Sequence, residues 1–146
     1  MMLGRYKPGD VVQVRCLIGD GEAVYRPAVV LTKPEYHREF GEIVVMPLVN
    51  YEDRREDWRV RLQDWQMTGL GRPAWVLKLL KAVDGGAIRG KAGELSSRDW
   101  EELEFALLRL VTEDDEEQSS QRPAEKASPS GSSKLDGKND VGWAYS

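Results

Sequence analysis

The dipeptide Arg26-Pro27 places a permanent positive charge directly before the apolar run 28–31. Proline lacks a backbone N–H and belongs at the start or edge of a strand, and it also restricts the backbone of the preceding residue. A guanidinium aimed by a restricted backbone suits the paired oxygens of a phosphate or a carboxylate. The sequence leaves two interpretations open, a phosphate-binding arginine and a buried ion pair.

A second group of basic residues forms a strip along the middle of the chain: Arg54, Arg55, Arg59, Arg61, Lys78 and Lys81. Arg59 and Arg61 share one face if residues 58–62 form a strand. Acidic residues interleave with the strip between positions 52 and 57, so a solvated surface of ion pairs is one interpretation. The alternative is a track for the phosphate groups of a nucleic acid.

The common catalytic signatures, such as a P-loop or a GxSxG motif, are absent from the sequence. One cysteine, Cys16, and one histidine, His37, argue against a zinc site, and we predict neither a metal nor a cofactor. His37 lies in a polar segment, and we interpret it as a solvated surface residue. No apolar stretch is long enough to span a membrane, and no signal peptide is recognisable, so we expect a cytoplasmic protein.

The elements that must position these residues are predicted to be mainly strands, at 10–18, 27–32, 42–49, 58–62, 74–83 and 87–93. The first alternates apolar and polar residues, whereas 27–32 and 42–49 are almost continuously apolar, as central strands covered on both faces are. The leucine spacing of 74–83 also permits a helix. The polar segment 33–41 is predicted to be a turn-rich loop.

A C-terminal helix is predicted at 97–112, with Ser96 as N-cap and Asp99 three residues later. One apolar stripe follows helical spacing: Trp100, Leu103, Leu107, Leu110 and Val111. Residues 113–146 are poor in apolar side chains and hold 8 acidic against 4 basic residues, whereas 1–112 holds 17 of each. We therefore predict one folded domain, 1–112, and a disordered tail, 113–146.

Several stretches resemble the PemK/MazF family of type II toxin–antitoxin toxins over residues 9–112. They are, in order, GDVVQV, RPAVVLT, IVVMPL, DWQMTGLGRPAWVLKLLKAV and GKAGELSSRDWEELEFALLRLV. The resemblance implies an SH3-like barrel of five to six antiparallel strands with a C-terminal helix, usually a homodimer, with an antitoxin protein as partner. It also implies metal-independent cleavage of single-stranded RNA, in which the 2′-hydroxyl attacks the neighbouring phosphate and leaves a 2′,3′-cyclic phosphate and a 5′-hydroxyl end.

By the same resemblance, Arg26 matches the family's catalytic arginine, which stabilises charge on the transferring phosphoryl group. Val49 stands where the family usually has Thr or Ser, and Asn50 follows it as a possible amide donor. We expect RNA binding by Arg26, Asn50, Arg59 and Arg61. The expected function is an endoribonuclease toxin weakened by Val49, since one lost donor costs about 10²–10³ in rate. The alternative is a catalytically silent module that binds RNA or a protein partner.

Overall fold

The structure is a computed structural model that describes residues 5–18 and 21–112. Its seven strands are β1 (Asp10–Ile18), β2 (Glu22–Val30), β3 (Glu42–Val49), β4 (Arg59–Arg61), β5 (Trp75–Leu77), β6 (Lys81–Asp84) and β7 (Ile88–Glu94). Its two α-helices are α1 (Pro34–Phe40) and α2 (Ser97–Val111). The predicted disorder of 113–146 concerns residues outside those described.

The strands pair in the order β4-β5-β3-β2-β1-β7, and β6 also pairs with β3. All of these pairings are antiparallel. Within the described residues no ladder joins β4 to β7, so the barrel is left open. The predicted mainly β, SH3-like fold with a C-terminal helix is confirmed.

The run predicted as one strand at 74–83 forms two strands, because its two halves pair with different parts of the sheet. β5 pairs with β4 and with the end of β3, whereas β6 pairs with the beginning of β3. A tight turn separates them, in which the Leu79 N–H donates to the Leu77 carbonyl at 2.7 Å. The helical alternative for this segment is wrong.

The segment 33–41, predicted to be a loop, contains α1. Pro34 begins this helix, where its fixed φ suits the first turn and its missing N–H costs nothing. Gly41 ends it in the left-handed region at φ 71°, and its N–H donates to the His37 carbonyl at 2.8 Å. The segment is polar and was therefore predicted as a loop, although it carries a proline at the start of a helix and a glycine at its end.

The prediction of a solvated His37 is wrong, because α1 packs this ring against the sheet and buries it fully. The ring Nε2 lies 2.7 Å from the Thr32 Oγ1, and that oxygen also accepts the Val44 N–H at 3.1 Å. A buried imidazole needs such a partner. His37 therefore joins α1 to the β2–β3 connection.

The sheet separates two apolar clusters. The first contains Val29, Met46, Leu48, Val49, Val76 and Leu103 among others, and the second contains Val12, Val14, Ala28, Val30, Ile43 and Val45. β2 supplies both, because successive side chains of a strand point to opposite faces. Its continuous apolar run is thus explained by burial on both sides, at roughly 1.5–3 kcal/mol for each large side chain.

The N-terminus of α2 is fixed by Asp99 rather than by a reciprocal capping box. The Ser96 Oγ accepts the Asp99 N–H at 3.2 Å, as predicted. The buried Asp99 carboxylate, however, accepts the backbone N–H groups of Gln63 and Asp64, both at 2.8 Å. Asp99 therefore ties α2 to the turn that follows β4.

The predicted apolar stripe of α2 faces the sheet along most of its length. Trp100, Leu103, Leu107 and Leu110 belong to the first core cluster or pack against it, whereas Val111 is 71% exposed. The stripe therefore ends one residue earlier than the helical spacing indicates.

Candidate functional site

A line of residues leads from Arg26 on β2 to Arg61 on β4. The β2–β3 ladder ends at the pair Ala28–Pro47, two residues short of both Arg26 and Val49. Val49 pairs with Trp75, and Trp75 pairs with Arg61. At about 4.8 Å per strand, Val49 and Arg61 lie roughly 10 Å apart along these pairs. We call this line the Arg26–Arg61 row.

Burial changes along this row. Arg26 is half-buried, Val49 is fully buried, Trp75 is half-buried and Arg61 is exposed. The middle of the row is therefore closed to solvent at β3, and both ends carry a positive charge.

The Arg26 end of the row has a second cation nearby. Burial raises the pKa of the Cys16 thiol, while the charges of Lys81 and Arg26 act to lower it. Both cations are therefore close enough to Cys16 to act on it, although Lys81 was placed in the middle strip by the sequence. The adjacent Tyr25 ring has the Arg89 guanidinium 4.6 Å from its centroid. Because successive side chains of a strand point to opposite faces, this ring lies on the other side of β2 from Arg26.

Val49 is buried without a polar group, and the oxygens of Asn50 are used in a turn. Val49 packs in the first core cluster, so a hydroxyl at this position would lie among apolar side chains. The Asn50 Oδ1 accepts the Glu52 N–H at 3.0 Å, and its carbonyl accepts the Asp53 N–H at 3.1 Å. Asn50 therefore shapes the turn after β3.

Arg59 is anchored rather than solvated. Its Nη1 donates to the carbonyls of Tyr51 and Asp53 at 3.1 and 2.8 Å, and its guanidinium lies 5.0 Å from the Trp75 ring centroid. The exposed Tyr51 ring lies 6.4 Å from the same indole. Arg59 therefore holds a surface aromatic pair beside the row, of the kind on which bases stack.

Among the acidic residues between positions 52 and 57, Asp53 forms an ion pair with a basic residue of the strip, Arg55. Burial acts to raise the pKa of the Asp53 carboxyl, but hydrogen bonds and charge from Arg55 hold it below its usual value, with a smaller contribution from Arg59. Arg61 and Lys78 form no ion pair within the described residues. The ion-pair interpretation of the strip therefore holds for Arg55 and fails for these two cations.

A groove of about 450 Å³ lies between β4, Lys78 and α2. Four basic side chains line it, with one carboxylate and one aromatic ring: Arg59, Arg61, Lys78, Arg109, Glu102 and Phe105. We call it the α2 groove. The Lys78 ammonium lies 6.0 Å from the Trp58 ring centroid, and the Arg109 guanidinium lies 5.5 Å from that of Phe105. Cations beside exposed aromatic rings suit phosphate and base contacts.

Two of the four predicted RNA-binding residues line the α2 groove, and Arg26 and Asn50 do not. Arg59 and Arg61 line the α2 groove with Lys78, whereas Arg26 lies at the opposite end of the row. Sequence reasoning missed Arg109 and Phe105. Their spacing of four residues on the polar side of the α2 stripe is a signal for one shared helix face.

The sequence of residues 7–111 matches the family model described as "PemK-like, MazF-like toxin of type II toxin-antitoxin system". The chain belongs to this toxin family. The resemblance of its motifs is thereby confirmed. No curated protein sequence matches the chain.

Solved structures of the family share the fold. MazF in a MazE–MazF crystal structure from Deinococcus radiodurans is 19% identical, with a TM-score of 0.60, over 73% of this chain and 95% of that chain. A crystal structure of MazF from the same organism is 21% identical, with a TM-score of 0.56, over 73% and 96%. An endoribonuclease in complex with its cognate antitoxin, from a Mycobacterial species, is 16% identical, with a TM-score of 0.52, over 70% and 88%.

In residues 5–18 and 21–112, no three His, Cys, Asp or Glu side chains group so that they could hold a metal ion. No helix in the same part of the chain is long and apolar enough to cross a membrane.

Proposed function

We propose that this PemK/MazF family member is an endoribonuclease toxin that cleaves single-stranded RNA without a metal. The 2′-hydroxyl attacks the adjacent phosphorus, the bond to the 5′-oxygen breaks, and the products are a 2′,3′-cyclic phosphate and a 5′-hydroxyl. The hydroxyl proton leaves as the new bond forms, and the departing oxygen gains one. The observation that carries the proposal is the Arg26–Arg61 row.

Arg26 has the features of a charge stabiliser for this reaction. Pro27 is buried directly after it, so the backbone that aims the guanidinium is held by the core. Preorganised donors are most effective where negative charge develops, here on the phosphoryl oxygens. Lys81 adds a second positive charge to the same surroundings. Arg26 therefore acts on the reacting phosphate.

The other end of the row serves to hold the RNA. Arg61 is exposed, and the aromatic pair of Tyr51 and Trp75 lies beside it. Arg59, Lys78 and the rest of the α2 groove contribute charge for the phosphate backbone, and the rings offer stacking surfaces. A strand that reaches both ends of the row crosses the buried β3 position.

Val49 supports a second candidate function. It fully buries a methyl-bearing side chain where the family usually carries a hydroxyl. A chain without that donor could keep the RNA-binding end of the row and lack cleavage. It would then be a silent module that binds RNA or a protein.

For partners, we propose a homodimer and a cognate antitoxin. Two of the similar solved structures are complexes with an antitoxin, MazE in one and a cognate antitoxin in the other. Exposed aromatic side chains, Trp58 and Tyr51 among them, are typical of protein interfaces. Size-exclusion chromatography with light scattering would show a dimer, and a monomer at micromolar concentration would contradict that part.

The proposal is tested with purified protein, a long unstructured RNA and excess EDTA. New 5′-hydroxyl ends are labelled directly by polynucleotide kinase, without prior phosphatase treatment. We expect labelled fragments from the natural chain and from Arg38→Ala, a surface control on α1, but not from Arg26→Ala. Intact RNA with all three proteins would contradict cleavage. An RNA gel shift under the same conditions would then favour the silent module.

A further inference from the structure

Basic side chains outnumber acidic ones in the lining of the α2 groove. Four basic side chains line it against the single carboxylate of Glu102. Arg61 and Lys78 have no ion pair within the described residues, and Phe105 is 61% exposed. Like charges gathered around one concave surface repel one another and favour a polyanionic occupant.

The chain itself supplies a polyanion immediately beyond this groove. Residues 113–117 are five consecutive acidic residues, Glu-Asp-Asp-Glu-Glu. They begin four positions after Arg109, which lines the groove. Thr112 closes α2 in an extended conformation, with φ −100° and ψ 148°. α2 therefore ends two residues after Arg109, one of the basic side chains of the groove.

The acidic segment 113–117 is long enough to extend along the groove. The groove follows α2 from Glu102 to Arg109, which is roughly 10 Å at 1.5 Å per helical residue. Five extended residues span roughly 16 Å, so the acidic segment is long enough to follow the groove once the chain has turned. A segment tethered this closely has an effective concentration on the order of millimolar.

We propose that the acidic segment 113–117 binds back into the α2 groove of its own chain. Its carboxylates pair with Arg61, Lys78 and Arg109 and compete with any external polyanion for them. The segment acts as an internal competitor whether or not the chain cleaves RNA.

Zero-length carbodiimide cross-linking of the full chain tests this contact directly. The reagent joins a carboxylate to an amine in contact with it, and Lys78 is the lysine among the residues that line the groove. We expect an amide between Lys78 and a residue of 113–117, identified by mass spectrometry. The link between Lys7 and Asp10, whose charged atoms lie 2.9 Å apart, is the positive control. An equal mixture of ¹⁵N-labelled and unlabelled chains separates links within a chain from links between chains.

The expected result is a Lys78 link within one chain that is lost in the variant Arg61→Gln/Arg109→Gln and at high salt, where the charges are screened. Formation of the Lys7–Asp10 link without any Lys78 link to 113–117 would overturn the proposal. A Lys78 link found only between labelled and unlabelled chains would also overturn it, since the occupant would then be a second copy.

A second readout uses a short fluorescent 2′-deoxyoligonucleotide, which lacks the attacking hydroxyl. Neutralising the segment by E113Q/D114N/D115N/E116Q/E117Q should tighten binding about tenfold, the factor expected if the groove is free about a tenth of the time. The matched control E125Q/D136N/D140N neutralises three acids further along the chain and should change affinity much less. Equal effects of the two variants would show a general charge effect and contradict a contact in the groove.

Discussion

The two ends of the Arg26–Arg61 row differ in how their charge is held. Arg26 is half-buried within the β1–β2 ladder, paired with Val14 and directly before the buried Pro27. Arg61 is exposed in a groove whose cations come from β4, the β5–β6 turn and α2. Chemistry on a phosphate needs a fixed donor, whereas binding a flexible strand needs accessible charge. Under the proposed function, this difference predicts that cleavage and affinity can be changed separately.

The largest expected effect is on the Arg26 end. Arg26→Ala should lower the cleavage rate about 10²–10³-fold, because a preorganised donor to the phosphoryl oxygens is lost. The free energy of unfolding, measured with urea, should change little, since the apolar residues of β2 remain. If Arg26 instead holds a buried ion pair, the change should cost roughly 3–5 kcal/mol of stability. A large loss of stability would thus contradict the phosphate interpretation.

Asp99→Ala should weaken the attachment of α2, which forms one side of the α2 groove, to the turn that follows β4. Two backbone N–H groups, those of Gln63 and Asp64, would lose the buried carboxylate that accepts them. We expect a loss of about 3 kcal/mol in the free energy of unfolding. Asp99→Asn keeps an acceptor for one of the two donors and should cost less. If both variants unfold at the same urea concentration as the natural chain, Asp99 does not hold α2.

Val49→Thr tests what a hydroxyl at the buried position in the middle of the row does to stability and to cleavage. The volume is nearly conserved, but a hydroxyl enters the first core cluster, so we expect a loss of about 1–3 kcal/mol in stability. If the missing hydroxyl limits the reaction, cleavage should rise, and Val49→Ala, which disturbs the packing without adding a donor, should not reproduce the rise. Unchanged cleavage by the threonine variant would favour the silent module.

At the Arg61 end, Arg61→Gln should weaken RNA binding uniformly across sequences. Loss of one phosphate contact reduces the slope of log affinity against log salt by about one. The maximal cleavage rate should stay unchanged. Glu102→Gln, on the same groove, should act in the opposite direction and tighten binding. If both variants shift affinity in the same direction, the groove is not an electrostatic site.

The smallest effect concerns acid stability beside the groove. Hydrogen bonds from Arg98 and Ser96 lower the pKa of the Asp64 carboxyl to about 2. A carboxyl with a depressed folded-state pKa stabilises the fold above its unfolded value near 3.8 and loses that contribution as pH falls through about 2. The melting temperature of Arg98→Gln should therefore lie slightly below that of the natural chain above pH 4, and the gap should close towards pH 2. A gap independent of pH would show that Asp64 is not involved.

The fold was predictable because burial shows in local patterns. The apolar runs of β2 and β3 and the helical stripe of α2 were recognisable, but β2 begins at Glu22, five residues before the predicted start, because residues 22–26 also pair with β1. α1 was missed because its single buried polar residue, His37, does not register as core in a hydropathy pattern. The division of 74–83 was missed because it depends on which strands its two halves pair with.

The candidate site was predictable only where its residues are close in the chain. Arg26 with Pro27, and Arg59 with Arg61, are close in the sequence, so each pair can be noticed as a candidate without a structure. The α2 groove joins Arg59 to Arg109 across 50 positions, and only the packing of α2 against β4 brings them together. The burial of Val49 likewise depends on side chains from several elements.

The central claim is that the two ends of the row divide cleavage from binding. The most direct measurement is a pair of values for each of the natural chain, Arg26→Ala and Arg61→Gln. One value is the single-turnover cleavage rate at saturating protein, and the other is the dissociation constant for a 2′-deoxy analogue. We predict that Arg26→Ala lowers chiefly the rate and Arg61→Gln chiefly the affinity. Parallel loss of both quantities in both variants, or no cleavage by the natural chain, would contradict the account.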